Sequence, residues 1–382
     1  SLIKHLFLSL IFPTFNQMKQ LQTHKKDLNK ARVISKQIDN DIGPDEVLLR
    51  IEKFSFTANN VTYGVAGDTI GYWKFFPAIE NSDNSWGCIP VWGFAEVIIS
   101  NNENIEHGER VFGYFPPGST LIVKPTNVSK QNFIDGKEHR KELPRVYNNY
   151  VRINAERDYD ISMDNIRALL FPLHITAFCL CDALEERNYE GASQVIIISA
   201  SSKTAIGLAQ GLAEKKNTPK IVGLTSKNNT QFVKNLDCYD EVISYDSLKD
   251  LGNELSVMVD MSGNKLVLSS LQESLGHNIL KCLTVGMTHW DKSNTMEEAI
   301  AQAELKERTE FFFAPTHIQK RYNDWGKEGY NQRTTIFMNA RAKQSLNWMT
   351  IKEISGLDNF IKIYKEIVSG NINPNEGIIV SL

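Results

Sequence analysis

From about residue 194 the apolar positions alternate between two textures. Val195-Ile196-Ile197-Ile198 is an unbroken branched-aliphatic run, after which Ile206, Leu208, Ala209, Leu212 and Ala213 recur at helical spacing. The first pattern predicts a buried strand and the second an amphipathic helix laid over it. The alternation then repeats. Lys220–Thr225 is followed by a helical stretch over Gln231–Leu236, and Glu241–Tyr245 and Leu255–Asp260 by a helical pattern over Lys265–Leu275; the β-like runs Ile279–Met287 and Phe311–Ala314 come after. Short strands alternating with helices predict βαβ units, and so an α/β fold with a doubly wound parallel sheet.

Residues 45–155 are patterned differently. Val47–Glu52, Ala95–Ile99, Glu109–Tyr114 and Thr120–Val123 are short β-like runs separated by Gly, Pro and Asn, which predicts a compact, mostly β domain. Lys130–Arg145 is polar and reads as a surface loop. Near the end a helix is expected over Leu357–Ser369 and a strand over Gly377–Leu382, of the kind that pairs back into the first domain. The expected organisation is a β-rich domain over residues 18–160, a sheet domain over 161–345, and a return to the β-rich domain over 346–382.

Between the strand at Ile198 and its helix lies Ser199-Ala200-Ser201-Ser202-Lys203-Thr204, a turn of small, mostly hydroxylated residues. Backbone N–H groups and the positive end of the helix converge at such a turn, which suits an anion. Two nucleotide readings compete. Lys203-Thr204 and the acid-ended strand Val257-Met258-Val259-Asp260 suggest a P-loop. A P-loop, however, needs glycine just before its lysine and at its start, and here Ser202 and strand isoleucines stand there. The dinucleotide pattern G-x-G-x-x-G, laid on Ser202–Gly207, keeps only Gly207, expected at a close helix–strand contact. A plain strand–turn–helix without a ligand fits the same residues.

The end of the second strand adds a selector. Thr225-Ser226-Lys227-Asn228 offers hydroxyls and a cation but no acid, which suits the 2′-phosphate of NADPH better than the ribose hydroxyl of NADH. A solvated loop lysine is the plainer reading of Lys227. On the dinucleotide reading, Ser201, Ser202, Lys203 and Thr204 surround the pyrophosphate, and Ser226 and Lys227 flank the adenosine phosphate. Ser262, Gly263 and Thr288, at later strand ends, would meet the nicotinamide half.

The totals narrow the partners. The 382 residues carry 42 Lys+Arg against 45 Asp+Glu, a formal charge of −3 without a basic tract, which argues against nucleic acid. Length of this order accommodates two domains and a substantial core. Five scattered cysteines without CxxC or zinc-finger spacing suit a reducing, cytoplasmic compartment. The apolar run Leu6–Phe12 is too short to span a bilayer and stops at Pro13; no membrane partner is expected.

Several segments carry a family likeness. "HGERVFGYF" is similar to a "vGDRVfG" turn with Glu109 in place of Asp, and "LLFPLHITAFCLCDAL" to a helix bearing Thr-Ala-Tyr, here Thr176-Ala177-Phe178. "LDCYDEVISYD" resembles "lGaDhvinY" with Asp237 at the glycine, and "VMVDMSGN" resembles "vvfDsvGg". With "GPDEVLLRIEKFSFTANNVTYG" as an opening β segment, the chain from about Asp45 resembles the medium-chain dehydrogenase/reductase superfamily, in its zinc-free quinone-oxidoreductase-like branch. "TANNVTYG", "PVWGFAEV", "SASSKTA" and "VGMTHW" together look like a poorly characterised side-branch that carries a domain-of-unknown-function label.

The resemblance implies a Rossmann-type doubly wound sheet plus a GroES-like mostly β domain, with NADPH as cofactor, a small-molecule substrate and a homodimer. The implied activity is zinc-independent oxidoreduction of a quinone, enone or other activated carbonyl compound. A catalytically degenerate member would instead be an NADPH-binding sensor or partner protein. Asn60 and Tyr63 fall where the family sets residues against the nicotinamide, which makes them catalytic candidates; the alternative is a turn at Asn59-Asn60 with Tyr63 packed in the β domain. Thr176 joins the cofactor residues by resemblance, as does Tyr245, which matches the family's tyrosine beside the adenosine phosphate. Cys88, Glu96 and His107 do not complete a zinc ligand set and the four-cysteine lobe is absent, so no metal is expected. His174, Cys179 and Cys181 read as core, and His289 as either a proton relay or a packed strand end. The aromatic group Tyr72, Trp73, Phe75, Phe76, Trp86 and Trp92 reads either as core or as the lining of an apolar substrate cleft.

Overall fold

The computed structural model describes residues 17–38, 41–285 and 304–382. The chain divides into two compact units. One holds the described residues up to Leu169 together with Ile351–Ile372 and Gly377–Leu382; the other holds those of Leu170–Thr350 and Asn373–Glu376.

In the first unit the chain runs through β1 (Gln17–His24), β2 (Asp27–Gln37), β3 (Val47–Phe56), helix α1 (Ala58–Val65), β4 (Trp86–Gly87), β5 (Val91–Ser100), β6 (Arg110–Phe115), β7 (Thr120–Val123), β8 (Pro125–Thr126), β9 (Asn132–Asp135) and β10 (Asn149–Arg152). A small sheet has the order β2-β1-β4. The core of the larger sheet is aromatic: Phe54, Phe94, Phe112, Tyr114 and Tyr150 are almost wholly buried. The segment read as a surface loop, Lys130–Arg145, departs from expectation because part of it is built into the domain through a buried ion pair. It contains β9, and the Arg140 guanidinium is buried against Asp135, donates to Phe75 O at 3.2 Å, and lies 5.3 Å from the Phe76 ring centre.

The second unit is the alternating region. Helix α2 (Asp164–Glu186) leads into β11 (Gln194–Ile198), α3 (Lys203–Ala213), β12 (Lys220–Thr225), α4 (Thr230–Lys234), β13 (Glu241–Ser244), β14 (Ser256–Asp260), α5 (Lys265–Leu275), β15 (Ile279–Thr284), β16 (Thr309–Phe311) and α6 (Ala314–Ser345). The strand order is β13-β12-β11-β14-β15-β16 with every pairing parallel. Counted along the chain this is 3-2-1-4-5-6, the doubly wound order whose reversal beside the first strand opens a crevice at the strands' carboxyl ends. Ile196, Ile198, Val222, Leu224 and Met258 belong to the buried cluster that α5 closes with Val267, Leu268 and Leu271. By length and composition Ile161–Glu186 would cross a membrane, but 67% of its apolar window is buried inside the protein, as in a core helix. Pro172 within α2 frees the carbonyl of Ala168, which accepts the Ser55 hydroxyl at 2.6 Å.

The chain then returns through β17 (Thr350–Ser355), α7 (Leu357–Val368) and β18 (Glu376–Ser381). β18 runs antiparallel to β3 with Ile378 opposite Phe56, and the larger sheet reads β17-β18-β3-β5-β6-β10-β9-β8, with β7 also on β3. The fold is α/β, with a mostly β first unit and a doubly wound parallel sheet in the second.

Candidate functional site

The site is the turn between β11 and α3, at the switch point of the sheet. β11 ends at Ile198, and the next residue, Ser199, has φ 69°. A left-handed serine costs about 1–2 kcal/mol, and glycine avoids that cost. Ser202 caps α3, its hydroxyl accepting from Ala205 N–H at 3.3 Å. The left-handed bend therefore lies at Ser199, three residues before the place where the glycine pattern was first laid. Ser202 fills the capping position instead, where serine is favoured in its own right.

The turn leaves donors unused. Ala200 N–H bonds Leu224 O, Ser202 N–H bonds Ser199 O, and Ile206 N–H bonds Ser202 O. The N–H groups of Ser201, Lys203 and Thr204 find no acceptor among the described residues. They stand at the positive end of α3, where an anion is favoured. The Ser201 hydroxyl accepts from Asn229 Nδ2 at 3.1 Å and from Thr225 Oγ1 at 3.3 Å, so its own O–H is left to donate.

Lys203 does not join that cradle through its side chain. Its ammonium donates to Pro374 O at 2.9 Å and Glu376 O at 2.6 Å, and burial lowers its pKa to about 8. This corrects the expectation of a phosphate-facing amine: a cation at a helix N-terminus is disfavoured, and the carbonyls draw it aside. Gly207 also serves a different contact from the one expected. A Cβ there would come within 2.9 Å of His174 Cδ2 and 3.2 Å of Ala177 Cβ, so this glycine admits α2 against α3 rather than helix against strand. His174 is buried there, and burial together with the nearby charge of Arg341 lowers its pKa to about 3, leaving it neutral.

At the end of β12, Ser226 and Lys227 are exposed and no carboxylate lies among Thr225–Thr230. The Tyr245 hydroxyl accepts from Ser199 N–H at 3.0 Å, so this tyrosine holds the turn itself. At the end of β14, Asp260 Oδ1 accepts from Ser262 Oγ at 2.7 Å, Ser262 N–H at 2.9 Å and Gly263 N–H at 3.2 Å. Ser262 is thereby committed to Asp260, whose buried Oδ2 has no partner among the described residues and whose pKa burial raises. Thr176 donates to Pro172 O at 3.1 Å within α2. Thr288, His289 and Trp290 lie outside the described residues.

In the first unit the two catalytic candidates belong to the scaffold. Asn60 Oδ1 accepts from Thr57 N–H at 2.7 Å in a capping box that starts α1, and Asn60 Nδ2 donates to Pro90 O at 2.9 Å. Both ends of its buried amide are occupied. Tyr63 is buried among Tyr72, Tyr114 and Tyr147, accepts from Trp92 Nε1 at 3.2 Å, and has its pKa raised by burial. Of the expected aromatic group, Tyr72, Phe75, Phe76 and Trp92 belong to this core, whereas Trp86 is half-buried beside His24 and under the Arg32 guanidinium. Among the described residues no three His, Cys, Asp or Glu side chains converge as a metal site would require.

Two residues that hold the turn went unread in the sequence. Asn229 had no pattern to mark it. Tyr239 had one: Gly223 sits inside β12, and a glycine inside a strand marks a close approach. A Cβ on Gly223 would come within 2.8 Å of the Tyr239 ring.

The model of a family described as a protein of unknown function, DUF2855, matches residues 54–373. Comparison with curated proteins finds no match. Among solved structures, CurA from Vibrio vulnificus in complex with NADPH is similar at TM-score 0.60 and 14% identity, over 95% of this chain and 98% of that one. The quinone oxidoreductase from Coxiella burnetii gives 0.54 at 14%, over 96% and 99%. The Etr1p/NADP/crotonyl-CoA complex gives 0.56 at 14%, over 96% and 100%. At such identities the likeness is one of fold, and it is the Rossmann-type plus GroES-like fold of the medium-chain reductases. With its family model covering most of its length, the chain belongs to the DUF2855 family and is built on that reductase fold.

Proposed function

We propose that this protein is an NADPH-dependent, zinc-independent oxidoreductase acting on a quinone, enone or other activated carbonyl compound. The observation that carries the reading is the set of N–H groups of Ser201, Lys203 and Thr204, without acceptors among the described residues, at the start of α3 and at the switch point of a 3-2-1-4-5-6 sheet. A pyrophosphate is the anion that this position takes in doubly wound folds. Ser226 and Lys227 support the phosphorylated cofactor, because the end of β12 lacks the acid that a ribose hydroxyl would want. NADPH in CurA and NADP in the Etr1p complex support the same choice. When bound, the cofactor supplies the hydride. This chain would contribute the turn amides, the Ser201 hydroxyl and the cation of Lys227, which bind and orient.

The P-loop reading loses its support, since the Lys203 ammonium is held by the carbonyls of Pro374 and Glu376. A second reading, an NADPH-binding sensor or partner protein without turnover, is favoured by one observation: Asn60 and Tyr63, the candidate donors, are engaged in the scaffold. The reading extends to a small-molecule substrate, a homodimer and a reducing, cytoplasmic setting, which the free state of all five cysteines supports.

The deciding experiment is NADPH oxidation followed by absorbance against a panel of quinones, enones and aldehydes, with and without a chelator. Chelator-insensitive turnover of a panel member is expected. Tight NADPH binding without turnover of any member would favour the sensor, and activity lost to the chelator would overturn zinc independence.

A further inference from the structure

The phosphate turn is built without glycine at its left-handed residue, and something must hold it there. Two tyrosines from the edge-side strand region reach it. The Tyr245 hydroxyl, just past β13, accepts from the N–H of Ser199, the left-handed residue itself, at 3.0 Å. The Tyr239 hydroxyl, just before β13, donates to the carbonyl of the following residue, Ala200, at 2.9 Å. Together they grip successive residues of the turn, one through a donor and one through an acceptor. The strand between has been opened to let Tyr239 through. Gly223 is the residue of β12 over which the Tyr239 ring lies, and a Cβ there would meet that ring at 2.8 Å and Ala200 Cβ at 3.0 Å. The missing side chain thus sits one strand away from the turn, where it makes room for the clamp.

We infer that Tyr239 and Tyr245 are positioning residues of the cofactor site, whose hydroxyls hold the glycine-free turn in the shape that aims the Ser201, Lys203 and Thr204 amides at the pyrophosphate. The inference rests on the cofactor reading proposed above and gives Tyr245 a role through the turn backbone. It also assigns a function to Tyr239 and Gly223. Both hydroxyls lie behind the turn, bonded to its backbone, so removing either oxygen loosens the turn while each ring keeps its packing.

The test is a pair of double-mutant cycles on the full chain: Tyr245→Phe and Tyr239→Phe, each made alone and together with Ser199→Gly. Each variant is titrated with NADPH and, separately, unfolded in denaturant without cofactor. If the hydroxyls act by holding Ser199 and Ala200 in place, each Phe variant binds NADPH about fivefold more weakly, the worth of one lost hydrogen bond. Ser199→Gly, which adopts the left-handed conformation unaided, then restores most of the loss in the Tyr245→Phe background. In the absence of cofactor, Tyr245→Phe destabilises less when residue 199 is glycine than when it is serine. A tyrosine that only packs would lower stability equally in both backgrounds and leave the NADPH affinity unchanged, and that result overturns the inference. Should the parent chain bind no NADPH, the cofactor reading fails by itself. The denaturant cycle then decides the clamp alone: coupling between residues 245 and 199 sustains it, and strict additivity ends it.

Discussion

Lys203→Met is the most informative single substitution, because it separates two roles for the same amine. In the structure the ammonium donates to Pro374 O and Glu376 O, and its pKa stands at about 8 instead of the ordinary 10.5. At about 1.4 kcal/mol per pH unit, burial disfavours the charged form by about 3 kcal/mol. Below about pH 8 the folded chain carries that disfavoured charge. Between about 8 and 10.5 the unfolded chain still holds a proton that the folded chain has released, so stability from this group rises with pH. Methionine keeps most of the stem's packing and has no titration. The stability of the parent minus that of Lys203→Met, from denaturant unfolding at pH 7, 8.5 and 10 under reducing conditions, should climb by about 2–3 kcal/mol across the series. A flat or falling difference would refute the buried-amine argument. At pH 7 the same variant should bind NADPH within about threefold of the parent, since the amine faces carbonyls. A loss of tenfold or more, the worth of a charge-assisted contact, would put Lys203 back on the phosphate.

Other expectations follow from single contacts. Gly207→Ala should destabilise by about 1–3 kcal/mol in thermal or denaturant melts despite alanine's better helix propensity, because its Cβ meets the packed His174 ring; an unchanged or raised stability would contradict the α2–α3 contact. Asn60→Ala should cost about 2 kcal/mol of stability through the lost cap and the unpaired Pro90 carbonyl, with kcat unchanged; lost turnover at full stability would return Asn60 to catalysis. Ser202→Leu should abolish NADPH binding while Ser202→Gly retains it with only a few tenths of a kcal/mol of cap lost, and parent-like binding by Ser202→Leu would place the cofactor elsewhere. Lys227→Ala should weaken NADPH about tenfold and leave NADH unchanged, and equal effects on both would remove Lys227 from the 2′-phosphate.

The sheet unit was legible because its physics is local. An unbroken run such as Val195–Ile198 can only be buried on both faces, and helical spacing after it fixes the crossover, so Lys265–Leu275 is helical with the bounds read from its pattern. The turn was less legible for the same reason. With serine in place of glycine, nothing in the sequence marks which residue goes left-handed, and the bend lies at Ser199 rather than Ser202. Side-chain direction was the second blind spot. Lys203 opens α3, yet only tertiary structure supplies the two carbonyls that turn its amine away from the turn. Asn60 misled through chemistry: an amide suits a carbonyl substrate and a helix cap equally, and its capping box carries Asn where Glu or Gln is usual. Asp237, at the place of a glycine in the resembled motif, has φ 52°, so the backbone there kept a glycine-like conformation while the residue changed.

The central claim is that the turn at Ser199–Thr204 with the acid-free end of β12 forms an NADPH site. Calorimetric titration of the purified full chain with NADPH and NADH, under identical salt and pH, tests it most directly. One NADPH per chain, with NADH bound at least about tenfold more weakly, is the expected result. Absence of binding by either nucleotide, or NADH binding as tightly as NADPH, would contradict it.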